Sequence, residues 1–536
     1  MKRKHTFSQV LLWVVAGCSL TISSCTKRFE AINTDPYGIN EEDLAGEFKQ
    51  FTQIQLNIHQ YTPDWQYQRG KNLSSDIWSG YMMTPNAFAG NVNNTNYAMI
   101  DAWNNTGWVT AYASVMAPLK SVITRAKHDQ RPQYEAWALI LKVMGMHRIT
   151  DFFGPIVYNN YGKINPDGSV TYESQQDVYN AFFKDLDDAQ TMLAPFVQKE
   201  LNDPTTPKDF AAFDLAYNGS YVKWMKLLNS LRLRLANRIA KADEAKAKTE
   251  GEKALSSTFG LLETNGDDFI IDSKTITNPI DIIANSWGNI RMNASMESFL
   301  NGYADPRMEK YFLPAADAAF PGQYRGIRSG IVITDDRYAD FSSIAPLGTK
   351  MPLMTSAETW FLRAEAKLRG WYAPPGLTVQ QAYEKGIALS FSQWGVAGSE
   401  LAPYLGSTAK PREYIDPKNT ANNVLYGSPL LSTITPKWDE AASDAEKRER
   451  ILTQKWIAVF PESGEAWAEQ RRTGYPKIFP VVVNNSGGAV PNGEFIKRVP
   501  FVISEREANA AGYRDAVQKL GGPDNVGTRV WWNKVQ

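Results

Sequence analysis

The chain is predicted to be mostly α, with tetratricopeptide-like helix pairs forming a superhelical scaffold and a large irregular, loop-rich region alongside it. Three observations lead there. Apolar residues recur at helical spacing over long segments. Two such segments follow one another between 355 and 392, with small residues where they meet. The stretches between are rich in Gly, Pro, Asn, Asp and scattered aromatics rather than in alternating strand patterns.

Each helix rests on its own apolar stripe. Ala136, Leu139, Ile140, Val143 and Met144 define one. Val178, Phe182, Leu186, Ala189 and Leu193 define a second, and Trp224, Leu227, Leu228, Leu231, Leu235 and Ile239 a third. In AETWFLRAEAKLRGW and TVQQAYEKGIALSF, Ala364, Ala382 and Gly386 let two helices approach closely while Trp360, Phe361 and Tyr383 fill the gaps. Trp108 and Tyr112, four apart, read as core, as do Trp360, Trp456 and Trp467. Residues 61–107, 260–350 and 395–445 read as long loops inserted between helical pairs, with short β-like stretches at Phe269–Ile271 and Ile331–Ile333. Loops of that length are functional or disordered, and their aromatic content argues against disorder.

The amino end reads as a lipoprotein signal. Lys2, Arg3 and Lys4 precede an apolar run at residues 10–20, and Ile22-Ser23-Ser24 lead to Cys25, whose thiol is the predicted lipid site. The run is shorter than the roughly 20 apolar residues of a membrane span. The expected organisation is a signal peptide at 1–24, a lipidated tether at 25–45 and a single helical domain at 46–536. Cys18 leaves with the signal, so no disulfide is expected. Lys plus Arg equals Asp plus Glu at 57 each, and losing the leader tips the balance slightly acidic, which gives no reason to expect nucleic acid as a partner.

Catalytic signatures are missing. His59, His128 and His147 would have to serve every imidazole role once His5 is removed, and no H-E-x-x-H, G-x-S-x-G or P-loop pattern occurs. Glu462, Glu465 and Glu469 stand at helical spacing beside Arg471 and Arg472, which reads as carboxylate-guanidinium pairing rather than a glycosidase pair. Asp185, Asp187 and Asp188 read as a solvated helix face. No cofactor is expected; a structural calcium ion held by Asp267, Asp268, Asp335 or Asp336 has no motif behind it.

A sugar ring offers an apolar C–H face and a rim of hydroxyls, so its site needs an aromatic plane with Asn, Asp, Gln or Arg at the edge. Residues 76–108 supply both. Trp78, Tyr81, Phe88, Tyr97 and Trp103 lie among Asn86, Asn91, Asn93, Asn94, Asn96, Asn104 and Asn105. Trp103, in a polar loop, is the leading candidate, with Trp78 and Tyr81 in a semi-helical stretch behind it.

The segment GEAWAEQRRTGYPKIFP at 464–480 resembles the most characteristic stretch of the SusD/RagB family of outer-membrane nutrient-binding lipoproteins. FEAINTDPYG after Cys25, ITDFFGPIVYNNY, GYADPRMEKYF, the AETWFLRAEAKLRGW helix and the closing RVPFVISEREANAAGY and TRVWWNK resemble that family in the same order. The resemblance implies four tetratricopeptide-like helix pairs, a loop-built ligand site and no catalysis. It also implies lipid anchoring at the outer membrane, facing the cell exterior, and a SusC-like TonB-dependent transporter that receives a captured oligosaccharide. Trp287 in NSWGN and Tyr324 in PGQYRG occupy the later insertion that the family analogy places near the ligand. In place of the acidic residues that often follow the lipidated cysteine of surface-exported members, Thr26, Lys27 and Arg28 stand here. Three other readings remain at this point: a peptide ligand for the same architecture, a surface glycoside hydrolase, and an assembly subunit without a soluble ligand.

Overall fold

A computed structural model describes residues 48–60, 62–372 and 374–534; the signal, Cys25 and most of the tether lie outside the described residues. The frame consists of helices α1 (Gln50–His59), α2 (Asp101–Val109), α3 (Ala117–His128), α4 (Pro132–Phe153), α5 (Gln175–Asn202), α6 (Tyr221–Ile239), α7 (Glu244–Leu255), α8 (Ala294–Tyr303), α9 (Ser356–Leu368), α10 (Val379–Gln393), α11 (Asp444–Ala458), α12 (Ser463–Thr473) and α13 (Ala510–Leu520). Strands are few and short: β1 (Met82–Met83) pairs antiparallel with β3 (Arg291–Met292), and β2 (Phe269–Asp272) with β4 (Lys350–Met354).

The apolar stripes fall on α4, α5 and α6, and the two adjacent segments become α9 and α10, so the tetratricopeptide-like α fold stands. Successive helices pack on one another from α3 through α7, α9 packs on α10, and α6 and α11 both pack on α9. Local chemistry sets the starts. Ser220 caps the Lys223 N–H of α6 and Thr355 the Glu358 N–H of α9, while Thr378 with Gln381 and Ser443 with Glu446 form capping boxes on α10 and α11. Gly474, left-handed at φ 79°, ends α12.

The α9–α10 contact depends on one missing carbon. A Cβ at Gly386 would sit 2.8 Å from the buried Phe361 ring. Phe361, Tyr383, Phe299, Trp456 and Phe460 then share one core between α8, α9, α10 and α11.

A buried charge network joins α6, α9, α11 and α12. Glu465 meets Arg238 at 2.5 Å and Lys455 at 3.0 Å; Glu469 meets Arg238 at 2.9 Å, Lys455 at 3.2 Å and Arg472 at 2.6 Å. Arg234 is held by Glu358 at 2.6 Å and Arg472 by Glu365 at 2.7 Å. The helical carboxylates are thus spent on ion pairs, as their spacing implied, and Glu462 pairs with Arg148 at 3.1 Å. Burial alone would raise Glu465, yet Arg238, Lys455 and Arg234 hold its carboxyl well below the usual range; burial likewise opposes ionisation of Glu469, but Arg472, Lys455 and Arg238 lower it.

Several expectations need correction. The stretch 61–107 is not a loop, since it carries α2 and short helices at Asp64–Tyr67 and Ser75–Trp78. Residues 260–350 likewise contain α8. Ile331–Ile333 forms no strand; Ile331 and Ile333 instead pack with Leu73, Ile77 and Met83. Asp185 is not solvated but accepts from Lys142 and from the Tyr158 hydroxyl, and Asp187 pairs with Arg232.

Gly386→Ala should lower stability by roughly 1–2 kcal/mol, because overpacking against Phe361 costs about 1–3 kcal/mol and outweighs the gain of about 1 kcal/mol in helix propensity. A denaturant midpoint equal to or above that of the parent contradicts the close approach. Glu465→Gln should cost about 3–5 kcal/mol, since it leaves buried cations short of a partner. Because the folded carboxyl lies below its unfolded value of about 4.3, its contribution is complete above that value and fades as pH falls through the folded one. The gap in unfolding midpoint between parent and variant should therefore narrow as pH falls from 7 to 3; a constant gap contradicts the assignment.

Candidate ligand-binding site

The β1–β3 pairing puts Met83 opposite Arg291, so the loop leaving β1 and the loop entering β3 run side by side. Asn86 on the first donates through Nδ2 to Asn289 Oδ1 on the second, at 2.8 Å. Trp287 precedes that contact and is 42% exposed. Its backbone is fixed: its N–H donates to the Ile282 carbonyl at 2.9 Å, ending the π-turn Ile282–Ser286, and Gly288 turns the chain at φ 68°. Arg291 clamps the loop base through Nε to the Ala339 carbonyl at 2.6 Å.

Tyr324 stands between two clefts. One, of about 510 Å³, is lined by Glu297, Asn301, Gln323, Arg325, Arg412 and Glu413; the other, of about 470 Å³, by Asp305, Glu309, Lys310 and Glu400 among others. The segment is pinned by Ser342, whose N–H donates to the Arg325 carbonyl at 3.0 Å and whose Oγ accepts from the Arg325 N–H at 2.9 Å. Burial pushes Glu297 up to about 7, against the pull of the Gly326 N–H at 2.6 Å and Arg325 at 3.2 Å. The first cleft therefore gains negative charge across neutral pH.

An aromatic ring beside clefts that offer amides, carboxylates and guanidinium groups suits a ligand with an apolar face and a hydroxyl rim. Trp287 and Trp103 lie outside both clefts. Trp103 belongs to α2, not to a loop, and is half-buried edge-on to Phe88 with ring centroids 6.4 Å apart. Trp78 and Tyr81 cannot serve as platforms. Trp78 is 4% exposed, tilts onto Trp467 at 4.8 Å and donates Nε1 to the Asn94 carbonyl. Tyr81 is fully buried with its hydroxyl on the Trp456 carbonyl. The asparagine run is also mostly structural: Asn93 and Asn96 form a capping box, Asn94 donates to Asn104, and Asn91 both donates to and accepts from the Ile333 backbone.

Sequence reasoning missed Arg412, Glu413 and Tyr426. Tyr426 is 63% exposed, and its N–H donates to Glu413 Oε2 at 3.2 Å, placing it beside the first cleft. Nothing local signals this, because Arg412 reaches the cleft through contacts with Ser298. Three of the four carboxylates weighed for calcium are engaged: Asp267 with Lys226, Asp268 with Ser356 and Asp335 with Arg337. Among the described residues no group of three or more His, Cys, Asp or Glu is placed to hold a metal ion, and no helix is long and apolar enough to cross a membrane.

Residues 31–533 match the SusD-like family, described as Susd and RagB outer membrane lipoprotein. The chain belongs to this family. A comparison with the curated proteins found no match. Among solved structures, the chain is similar to a chitin-binding SusD homolog from Flavobacterium johnsoniae, with 44% identity and a TM-score of 0.85 over 92% of this chain and 99% of that one. It is also similar to a SusD homolog from Bacteroides vulgatus (35%, TM-score 0.83, 93% of this chain and 99% of that one) and to another from Bacteroides uniformis (34%, TM-score 0.80, 91% and 99%). This SusD-like protein is accordingly a binding protein of an outer-membrane lipoprotein family, not an enzyme.

Trp78→Ala should cost about 3–5 kcal/mol of stability, whereas Trp287→Ala should leave the melting temperature within a degree or so of the parent. Equal losses for both would mean that Trp287 is packed rather than presented.

Proposed function

We propose that this SusD-like protein, anchored through lipid on Cys25 at the outer face of the outer membrane, captures oligosaccharides of the chitin type and passes them to a TonB-dependent transporter. The observation that carries the reading is Tyr324 between two polar clefts, with Tyr426 at the rim of one of them. A relative with 44% identity that is itself chitin-binding supports the choice of sugar. An N-acetylglucosamine unit has an apolar ring face for an aromatic plane and an acetamide that both donates and accepts. Asn301 and Gln323 supply matching amides, and Arg412 and Glu413 supply a charged donor and acceptor for hydroxyls. Trp287, beside the Asn86–Asn289 pair, offers a further plane for a long chain.

Calorimetric titration of chitooligosaccharides tests this, with maltooligosaccharides and mixed peptides as comparators. Binding should be confined to the chitin series and leave its chain lengths unchanged. Loss of one stacked ring costs about 1–3 kcal/mol by analogy with other ring stacks, so Tyr324→Ala and Tyr426→Ala should each weaken binding on the order of tenfold with the fold intact. Binding of peptides alone, or shortening of the glycan, contradicts the reading. Co-purification of a TonB-dependent barrel from outer membranes is the expected result for the hand-off.

A further inference from the structure

Beneath α2 lies a chamber that takes no part in the site described above. It is bounded by α1, the π-turn Gln68–Asn72, α2 and α4, and Gln60, Lys71, Asn104, Gly107, Arg148 and Phe152 line it. Its volume of about 50 Å³ accommodates a few water-sized particles, at roughly 10–15 Å³ each.

The polar atoms of this chamber do not balance. Arg148, more than nine-tenths buried, gives Nη1 to Glu462 at 3.1 Å, while its Nε and Nη2 meet no acceptor. Lys71 Nζ reaches the Ile58 carbonyl at 3.3 Å and has hydrogens to spare. Burial lowers the lysine to about 8, with Glu462 opposing and Arg148 adding to the shift. On the other side stands Gln60 Oε1, an acceptor without a donor. Unfilled N–H groups therefore outnumber unfilled acceptors, and the two carboxylates nearest these cations are already engaged, Glu462 by Arg148 and Asp76 by Asn72 and Tyr67. Water has as many hydrogens to give as lone pairs to offer, so filling the space with water relocates the imbalance instead of removing it. A species that only accepts takes up the spare N–H groups, and a negative charge on it strengthens those hydrogen bonds.

We infer that this chamber binds a small monovalent anion of halide size, held by Arg148 Nε and Nη2 and by Lys71 Nζ. The π-turn carrying Lys71 contacts α2, which carries Trp103 and Asn104, so occupancy stiffens the floor beneath the 84–98 loop.

Bromide is the probe, with gluconate, too large for the chamber, at equal ionic strength as reference. The melting temperature of the folded protein should climb by roughly 1–2 °C per tenfold increase in bromide beyond saturation and stay flat in gluconate. Crystals soaked in bromide should show anomalous density between Lys71 and Arg148. Lys71→Met should reduce the bromide response several-fold; if that variant does not fold, the titration and the anomalous map of the unaltered protein decide the matter. Identical responses to the two salts, or a chamber filled by ordered water without anomalous density, overturn the inference.

Discussion

The pairing of Glu465 and Glu469 on α12 with Arg238 on α6, Lys455 on α11 and Arg472 is the constraint from which the rest of the molecule follows. Buried ions are expensive unless each finds opposite charge with good geometry, so these three helices have little freedom to slide. Their arrangement is transmitted outwards. Trp467 on α12 lies against Trp78, and Trp456 on α11 donates to the Ser79 carbonyl while its own carbonyl accepts from Tyr81. Those contacts fix β1, β1 fixes β3, and the loops bearing Asn86 and Trp287 spring from that pair.

Charge therefore places loops that have almost no regular structure of their own. The segment 313–349 is tied down in the same manner: Ile327 bridges to Asn293, Phe312 to Ile344, and Asn91 locks onto Ile333 from the other side. Side chains held this way lose little freedom when a ligand arrives, which favours affinity from shallow clefts. It also explains why so many polar residues near the site are not ligand contacts. They are the ties.

Helices were legible in the sequence wherever a stripe ran for three turns or more, as in α4, α5 and α6, and the role of Gly386 followed from helix spacing. Shorter elements were not. In α2 the sequence DAWNNTGWV mixes Asn, Thr and Gly with two tryptophans, and its helicity comes from packing rather than propensity. Trp78 and Tyr81 resembled loop aromatics because the residues that bury them, Trp467 and Trp456, lie almost four hundred positions away. Tyr324 and Trp287 were singled out as aromatics in the later insertion that the family resemblance places near a ligand. Arg412, Glu413 and Tyr426 were not, since their place at the cleft is purely tertiary.

Hydrogen exchange of the full folded chain, with and without saturating N-acetylglucosamine hexamer, tests most directly whether a rigid charged frame presents ligand through its loops. The account predicts new protection at residues 285–291, 322–326 and 412–426, with α4 to α7 unchanged. Protection concentrated in those helices, with the three loop segments exchanging as before, would contradict it.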